Sequence, residues 1–205
     1  MKKELSSLEI AKKLKLVETD LGGVLNFSDL WNLIGLSSSE RTAKIVKKLI
    51  REGVIFKIRR DIYTTQNPDP WVLASRFKEN ACISLDSVLA KNGLIGTVPT
   101  RSVSLVYHGN TQTIETLFGR FRYFKIKKDL IFGTQKIKGG VTIADSEKAF
   151  IDLLYYHVKG NKFSIDPLTD IDLWKLDRAK IKKYLLAYKN PNFVKFVEGV
   201  LDENP

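Results

Sequence analysis

A helical apolar period across "SERTAKIVKKLIRE" stops at Gly53 and gives way at once to two-residue alternation in "VIFKIRRDIYTT". Ala43, Ile45, Val46, Leu49 and Ile50 recur at the spacing of one helix face. Beyond the glycine, apolar and polar residues alternate around "RRD", the pattern of a small β-hairpin. A change of period from about 3.6 to 2 across one residue commits this segment to a helix followed by a hairpin.

The residues upstream complete the unit. A first helix is expected over Ser6 to Val17, with Leu8, Ala11, Leu14 and Leu16 as its apolar stripe, stopped by Gly22 and Gly23. Ser28 is the expected N-cap of a short second helix, with Asp29 in its first turn and Gly35 at its end. "LSSSE" offers a further hydroxyl cap, with Glu40 near the start of the third helix, Ser39 to Glu52. Helix, short helix, tight turn, longer helix and hairpin is the order of a winged helix-turn-helix, which assigns residues 1–65 to one domain. In that geometry the start of the third helix faces a DNA major groove, bringing Ser38, Ser39, Arg41, Thr42 and Lys44 forward, with Ser37 in the turn. Arg41 can bond a guanine edge through two donors, while the hydroxyls serve phosphate or base. Lys57, Arg59 and Arg60 lie at the hairpin tip, within reach of backbone or minor groove. The competing use of such a unit is as a protein interaction module whose charges are merely solvated.

Charge supports the nucleic-acid reading. Thirty-four Lys and Arg against 23 Asp and Glu leave +11, a balance that favours polyanionic partners. The window Arg120 to Lys138 holds seven basic residues against Asp129, a local +6. Its members, Arg120, Arg122, Lys125, Lys127, Lys128, Lys136 and Lys138, form an expected second basic patch. "TTQNPDPW", Thr64 to Trp71, is polar with two prolines and reads as the interdomain linker. The remainder, residues 72–205, mixes helical stretches such as "SLDSVLAKNGL", capped by Ser84, with β-prone "SVSLVYH" and "RFRYFKIKK". A further hairpin is expected around Gly139 and Gly140, and helices near Asp177–Tyr188 and Asn192–Leu201. The expected class is α+β, with a mostly antiparallel sheet in the larger domain.

Several chemistries lack their residues. Cys82 is alone, among apolar neighbours, and His108 and His157 have no metal-ligand spacing. No phosphate-cradling GxxxxGK[ST] order is present. No apolar run approaches the roughly 20 residues that span a bilayer, and the N-terminus lacks the apolar segment of a signal peptide. A cytoplasmic protein without cofactor or metal is therefore expected. The stretch "ADSEKAFIDLL" packs Asp145, Glu147, Lys148 and Asp152 closely enough to suggest an active site. Nucleases of the restriction type, however, space Glu and Lys by one residue on a strand. Here they are adjacent at a helix start, pointing about 100° apart. The residues instead suit a capped helix, with Asp145 as N-cap, Glu147 in the first turn, and Ala149, Phe150, Leu153, Leu154 and His157 as the buried face. No catalytic residue is expected. The alternative is a Mg²⁺-dependent nucleic-acid enzyme assembled from Asp86, Asp145 and Glu147.

"ISLDSVLAKNGLI", "VSLVYHG", "RYFKI" and above all "IADSEKAFIDLLYYH", behind an N-terminal winged-helix pattern, resemble the AbiEi-type antitoxins of bacterial type IV toxin–antitoxin systems. The similarity runs to about His157; nothing past Lys159 matches. It implies a transcription repressor that binds double-stranded DNA at operator repeats and regulates its own promoter; self-association on DNA is a separate expectation for the larger domain. It also implies an antitoxin domain that counteracts a nucleotidyltransferase-like toxin without a stable complex.

Overall fold

The computed structural model describes residues 6–96 and 101–203. The chain divides into two compact units, Met1–Phe77 and Lys78–Pro205. The architecture is mixed α+β.

In the first unit, α1 (Ser7–Leu21) leads to a short strand β1 (Val24–Leu25), then α2 (Phe27–Ile34) and α3 (Ser39–Arg51). A hairpin of β2 (Phe56–Arg59) and β3 (Ile62–Thr64) follows, and α4 (Pro70–Phe77) closes the unit. The strands form an antiparallel sheet in the order β1-β3-β2. The core gathers Ile10, Leu14, Leu25, Leu30, Ile45 and Leu49 among others.

Several local expectations are corrected. The inner face of α1 is Ile10 and Leu14, whereas Leu8 and Leu16 are 67% and 79% exposed. Six residues from Ile10 to Leu16 turn a helix by about 240°, so the two cannot share a face. The cap of α2 is Asn26 rather than Ser28: its side chain accepts from Asp29 N–H, and Asp29 accepts in return from Asn26 N–H, both at 2.8 Å. The segment Thr64–Trp71 is no linker, because its backbone is tied to the first unit. Thr65 N–H donates to Gly23 O at 2.9 Å and Asp69 N–H to Gly22 O at 2.8 Å. A Cβ on Gly22, already left-handed at φ 59°, would stand 2.7 Å from Val72 Cγ2. This close approach makes α4 part of the first unit and moves the boundary to Phe77/Lys78.

The second unit contains β4 (Cys82–Ile83), α5 (Leu85–Lys91), β5 (Ser102–Tyr107), β6 (Gln112–Thr116), β7 (Gly119–Lys125), β8 (Thr134–Lys136) and β9 (Thr142–Ala144). Helices α6 (Ser146–His157), α7 (Arg178–Leu185) and α8 (Pro191–Asp202) complete it. The sheet runs β6-β7-β5-β4-β9-β8. The β5/β7 and β4/β9 pairs are parallel and the other three antiparallel, so the sheet is mixed rather than mostly antiparallel. The cause is topological: β6 doubles back outside β7, which returns β7 alongside β5 in the same direction. The expected hairpin around Gly139 and Gly140 is present as β8/β9, with both glycines at positive φ. Ser84 precedes α5 without capping it. With Leu85 in the left-handed region (φ 55°), the Ser84 hydroxyl donates to Asp152 Oδ2 at 2.7 Å instead. Cys82 is buried, and burial above all pushes its thiol up to about 12.

Candidate nucleic-acid interface

Helix α3 starts where Ser38 Oγ accepts Arg41 N–H at 3.3 Å, and its inner stripe is Thr42, Ile45, Val46 and Leu49. At about 100° per residue, this stripe leaves Glu40, Lys44, Lys47 and Arg51 together on the opposite side, flanked by Arg41 and Lys48. All six are exposed. Lys48 lies 3.8 Å from Glu52, an exposed pair of the kind worth about 0.3–0.5 kcal/mol. The outer face thus offers five cations against Glu40 and Glu52.

The expected groove-facing residues divide. Ser37, Ser39, Arg41 and Lys44 are exposed, and Ser38 is half-buried by its capping role. Thr42 is withdrawn: it is fully buried, and its hydroxyl donates to Ser38 O at 3.0 Å. Position 42 falls on the same stripe as Leu49, seven residues on, so no rotation of the side chain brings it outside. Lys47 and Arg51 were not among the expected residues. Extending the Lys44 stripe by three and then four positions finds them.

The β2–β3 tip is anchored rather than free. Asp61, at φ 58°, turns the chain, and its Oδ1 accepts Phe27 N–H at 2.9 Å. Arg59 lies over the Phe77 ring at 5.4 Å and reaches Phe77 O at 3.4 Å. Arg60 occupies the turn itself, and Lys57 is exposed on β2 two residues before Arg59, with a break in strand register between them.

The second basic window does not form one patch. Strand β7 adjoins the edge strand β6, whereas β8 is the opposite edge, with β5, β4 and β9 between. Four strand spacings separate Arg120–Lys125 from Lys136 by about 19 Å. Arg122 is consumed structurally. Its side chain, 23% exposed, lies 3.4 Å from Asp86 Oδ2 and rests over the rings of Phe124 and Phe163, each at 5.2 Å. Arg120 pairs with Glu115 at 3.3 Å in the open. Lys125, Lys127, Lys128, Lys136 and Lys138 are exposed.

Each carboxylate around α6 is bound by a side chain from elsewhere in the fold or on the same helix. Asp145 caps the helix, accepting Lys148 N–H at 2.9 Å, and also accepts the Tyr184 hydroxyl at 2.7 Å. Lys180 lies 3.1 Å from Asp145 and 2.8 Å from Glu147; the Glu147 bond foremost raises the Lys180 pKa. Burial first, then the Asp145 bond, pushes Tyr184 up to about 12. Lys148 and Asp152, 1% and 0% exposed, pair directly one helical turn apart, with Lys148 also donating to the Tyr188 hydroxyl at 3.2 Å. Burial raises the Asp152 pKa against the opposing pull of Lys148. Asp86 is held by Arg122. Among the described residues, no three His, Cys, Asp or Glu side chains are grouped to hold a metal ion. No helix among them is long and apolar enough to cross a membrane.

No protein-family model matches the chain, and no curated protein does. Three solved chains match its fold. One is the RV2827C protein from Mycobacterium tuberculosis, at 10% identity and a TM-score of 0.61, aligned over 94% of this chain and 76% of that one. At that identity the likeness is one of fold alone.

Proposed function

We propose that the chain is a sequence-specific DNA-binding repressor acting in the cytoplasm, its N-terminal unit a winged helix-turn-helix. The observation that carries this reading is the outer face of α3, where Arg41, Lys44, Lys47, Lys48 and Arg51 project opposite a closed apolar stripe. In this reading α3 lies in the major groove, the β2–β3 hairpin is the wing, and Arg41 reads a base edge. Lys44, Lys47 and Arg51 supply phosphate contacts, which give affinity without sequence choice. Repression follows from occupying the promoter.

We further propose that the second unit is the antitoxin part of a type IV system, counteracting a nucleotidyltransferase-like toxin without a lasting complex. The support is the AbiEi-like stretch "IADSEKAFIDLL", whose residues form β9 and the buried α6 at the centre of that unit.

The test is binding of the purified chain to a duplex from its own upstream region and to a random duplex, across a range of salt. A specific repressor prefers its site by about a thousandfold or more, with affinity falling steeply as salt rises. Equal affinity for both duplexes at every salt sinks the repressor. Co-expression with the neighbouring toxin-like gene tests the second half: growth must be restored by the full chain.

A further inference from the structure

We infer that the cleft between the β2–β3 turn and the end of α4 is a binding site for a phosphoryl group. The cleft has a volume of about 270 Å³ and is lined by Arg59, Arg60 and Arg76, with Asp61 as its one acid and Val24 and Ile62 in its wall. That volume falls below the about 300–1,000 Å³ of pockets for drug-sized ligands, and suits a small anion with the carbons attached to it.

The chain brings the arginines together from two separate elements. Arg59 and Arg60 belong to the hairpin, while Arg76 arrives on α4, which the Gly22 and Gly23 contacts hold against this unit. Asp61, whose Oδ1 accepts Phe27 N–H at 2.9 Å, offsets one of the three positive charges and leaves an excess of two. Arg59 is fixed in place by the Phe77 ring and carbonyl. Arg60 and Arg76 are exposed, with no ion pair to a carboxylate among the described residues. Three guanidinium groups against the single Asp61 carboxylate leave the cleft with positive charge that a further anion would balance. Their planar forks match the oxygens of a phosphoryl group better than they match chloride. The buried Val24 and Ile62 exclude water from one side, which strengthens the attraction.

Two sources share this chemistry: a phosphate of duplex DNA and a free phosphoryl compound. The first rests on the DNA-binding reading above; the second does not. Inorganic phosphate is titrated against the arginine side-chain NMR signals of the full chain at constant ionic strength, and duplex affinity is measured against salt. Both are repeated for Arg76→Ala, with Arg76→Gln as the second variant should the first unfold.

Phosphate is expected to shift the Arg59, Arg60 and Arg76 signals, and Arg76→Ala to weaken that response about tenfold. On duplex, Arg76→Ala should lower the salt slope by about one and leave the preference for the specific site unchanged. An Arg76-dependent phosphate response with an unaltered salt slope supports the site and assigns it to a free phosphoryl compound. The same response in a chain that binds no duplex at all keeps the site and discards the DNA reading. A lowered slope without a response to phosphate alone keeps the site as part of the duplex interface. If a folded variant changes neither reading while duplex binding persists, the site is overturned and the DNA reading stands.

Discussion

Helices α3 and α6 both begin on a side-chain cap and both carry charge every few residues, yet α3 holds Lys44, Lys47 and Arg51 in water while α6 buries Glu147, Lys148 and Asp152. The difference lies in how many sides are covered. One apolar stripe on α3 faces the core, so its charges collect on the other side. Around α6 pack α5, α7 and α8, leaving no wet face. Each charge there needs a partner from another element: Ser84 and Tyr188 for the Lys148–Asp152 pair, Lys180 for Glu147, Tyr184 for Asp145. Charge on the first helix is available to a partner molecule, and charge on the second is committed to the fold.

The comparison breaks most readily at Lys148. Lys148→Ala strands Asp152 in the core and should cost about 3–5 kcal/mol in urea unfolding. Replacing both residues together, as Lys148→Met with Asp152→Leu, should recover much of that loss. A loss below about 1 kcal/mol for Lys148→Ala would place the pair in contact with water after all.

On α3 the expected effects fall on binding and leave stability alone. Arg41→Ala should weaken the specific duplex by about 1–3 kcal/mol and relax base preference. Equal losses on specific and random duplex would remove Arg41 from base reading. Thr42→Val, by contrast, should leave base preference untouched, because that hydroxyl bonds its own helix. A changed preference in this variant would break the division of α3 into inner and outer faces.

The smallest effect is expected with pH at Lys180. Its pKa is raised in the folded chain, so the stabilisation is complete below the unfolded value of about 10.4 and lost as pH climbs through the folded one. The stability difference between the wild type and Lys180→Met should hold steady from about pH 7 upward and shrink above about pH 10.4. A difference that vanished already near neutral pH would separate Lys180 from Asp145 and Glu147.

Sequence reading succeeded where the deciding interactions are local. The extent of α3 follows from its apolar spacing and from Ser38, and the Asp145 cap from a carboxylate ahead of the helix run. It failed where distant elements decide. Asp152 stands in the sequence only as one member of a dense charged cluster, and its partner Ser84 lies 68 positions away. The basic run from Arg120 to Lys138 reads as continuous, but a chain reversal and three intervening strands part its ends. Ser84 looks like a cap by composition, and only the left-handed Leu85 turns its hydroxyl elsewhere. Strand β6 leaves little trace in the sequence, because "TQTIET" has few large apolar residues to mark it.

The two-residue strand β4 carries a temporal consequence. Ile83 pairs with Leu105 on one side and Ile143 on the other, so the middle of the larger sheet stays open until the chain reaches Ala144. Contacts closed over such separations form late and slowly. During synthesis, the residues of the first compact unit are therefore all made long before β9 leaves the ribosome. The basic face of α3 is complete first, and the element bearing Lys148 and Asp152 is the keystone set afterwards.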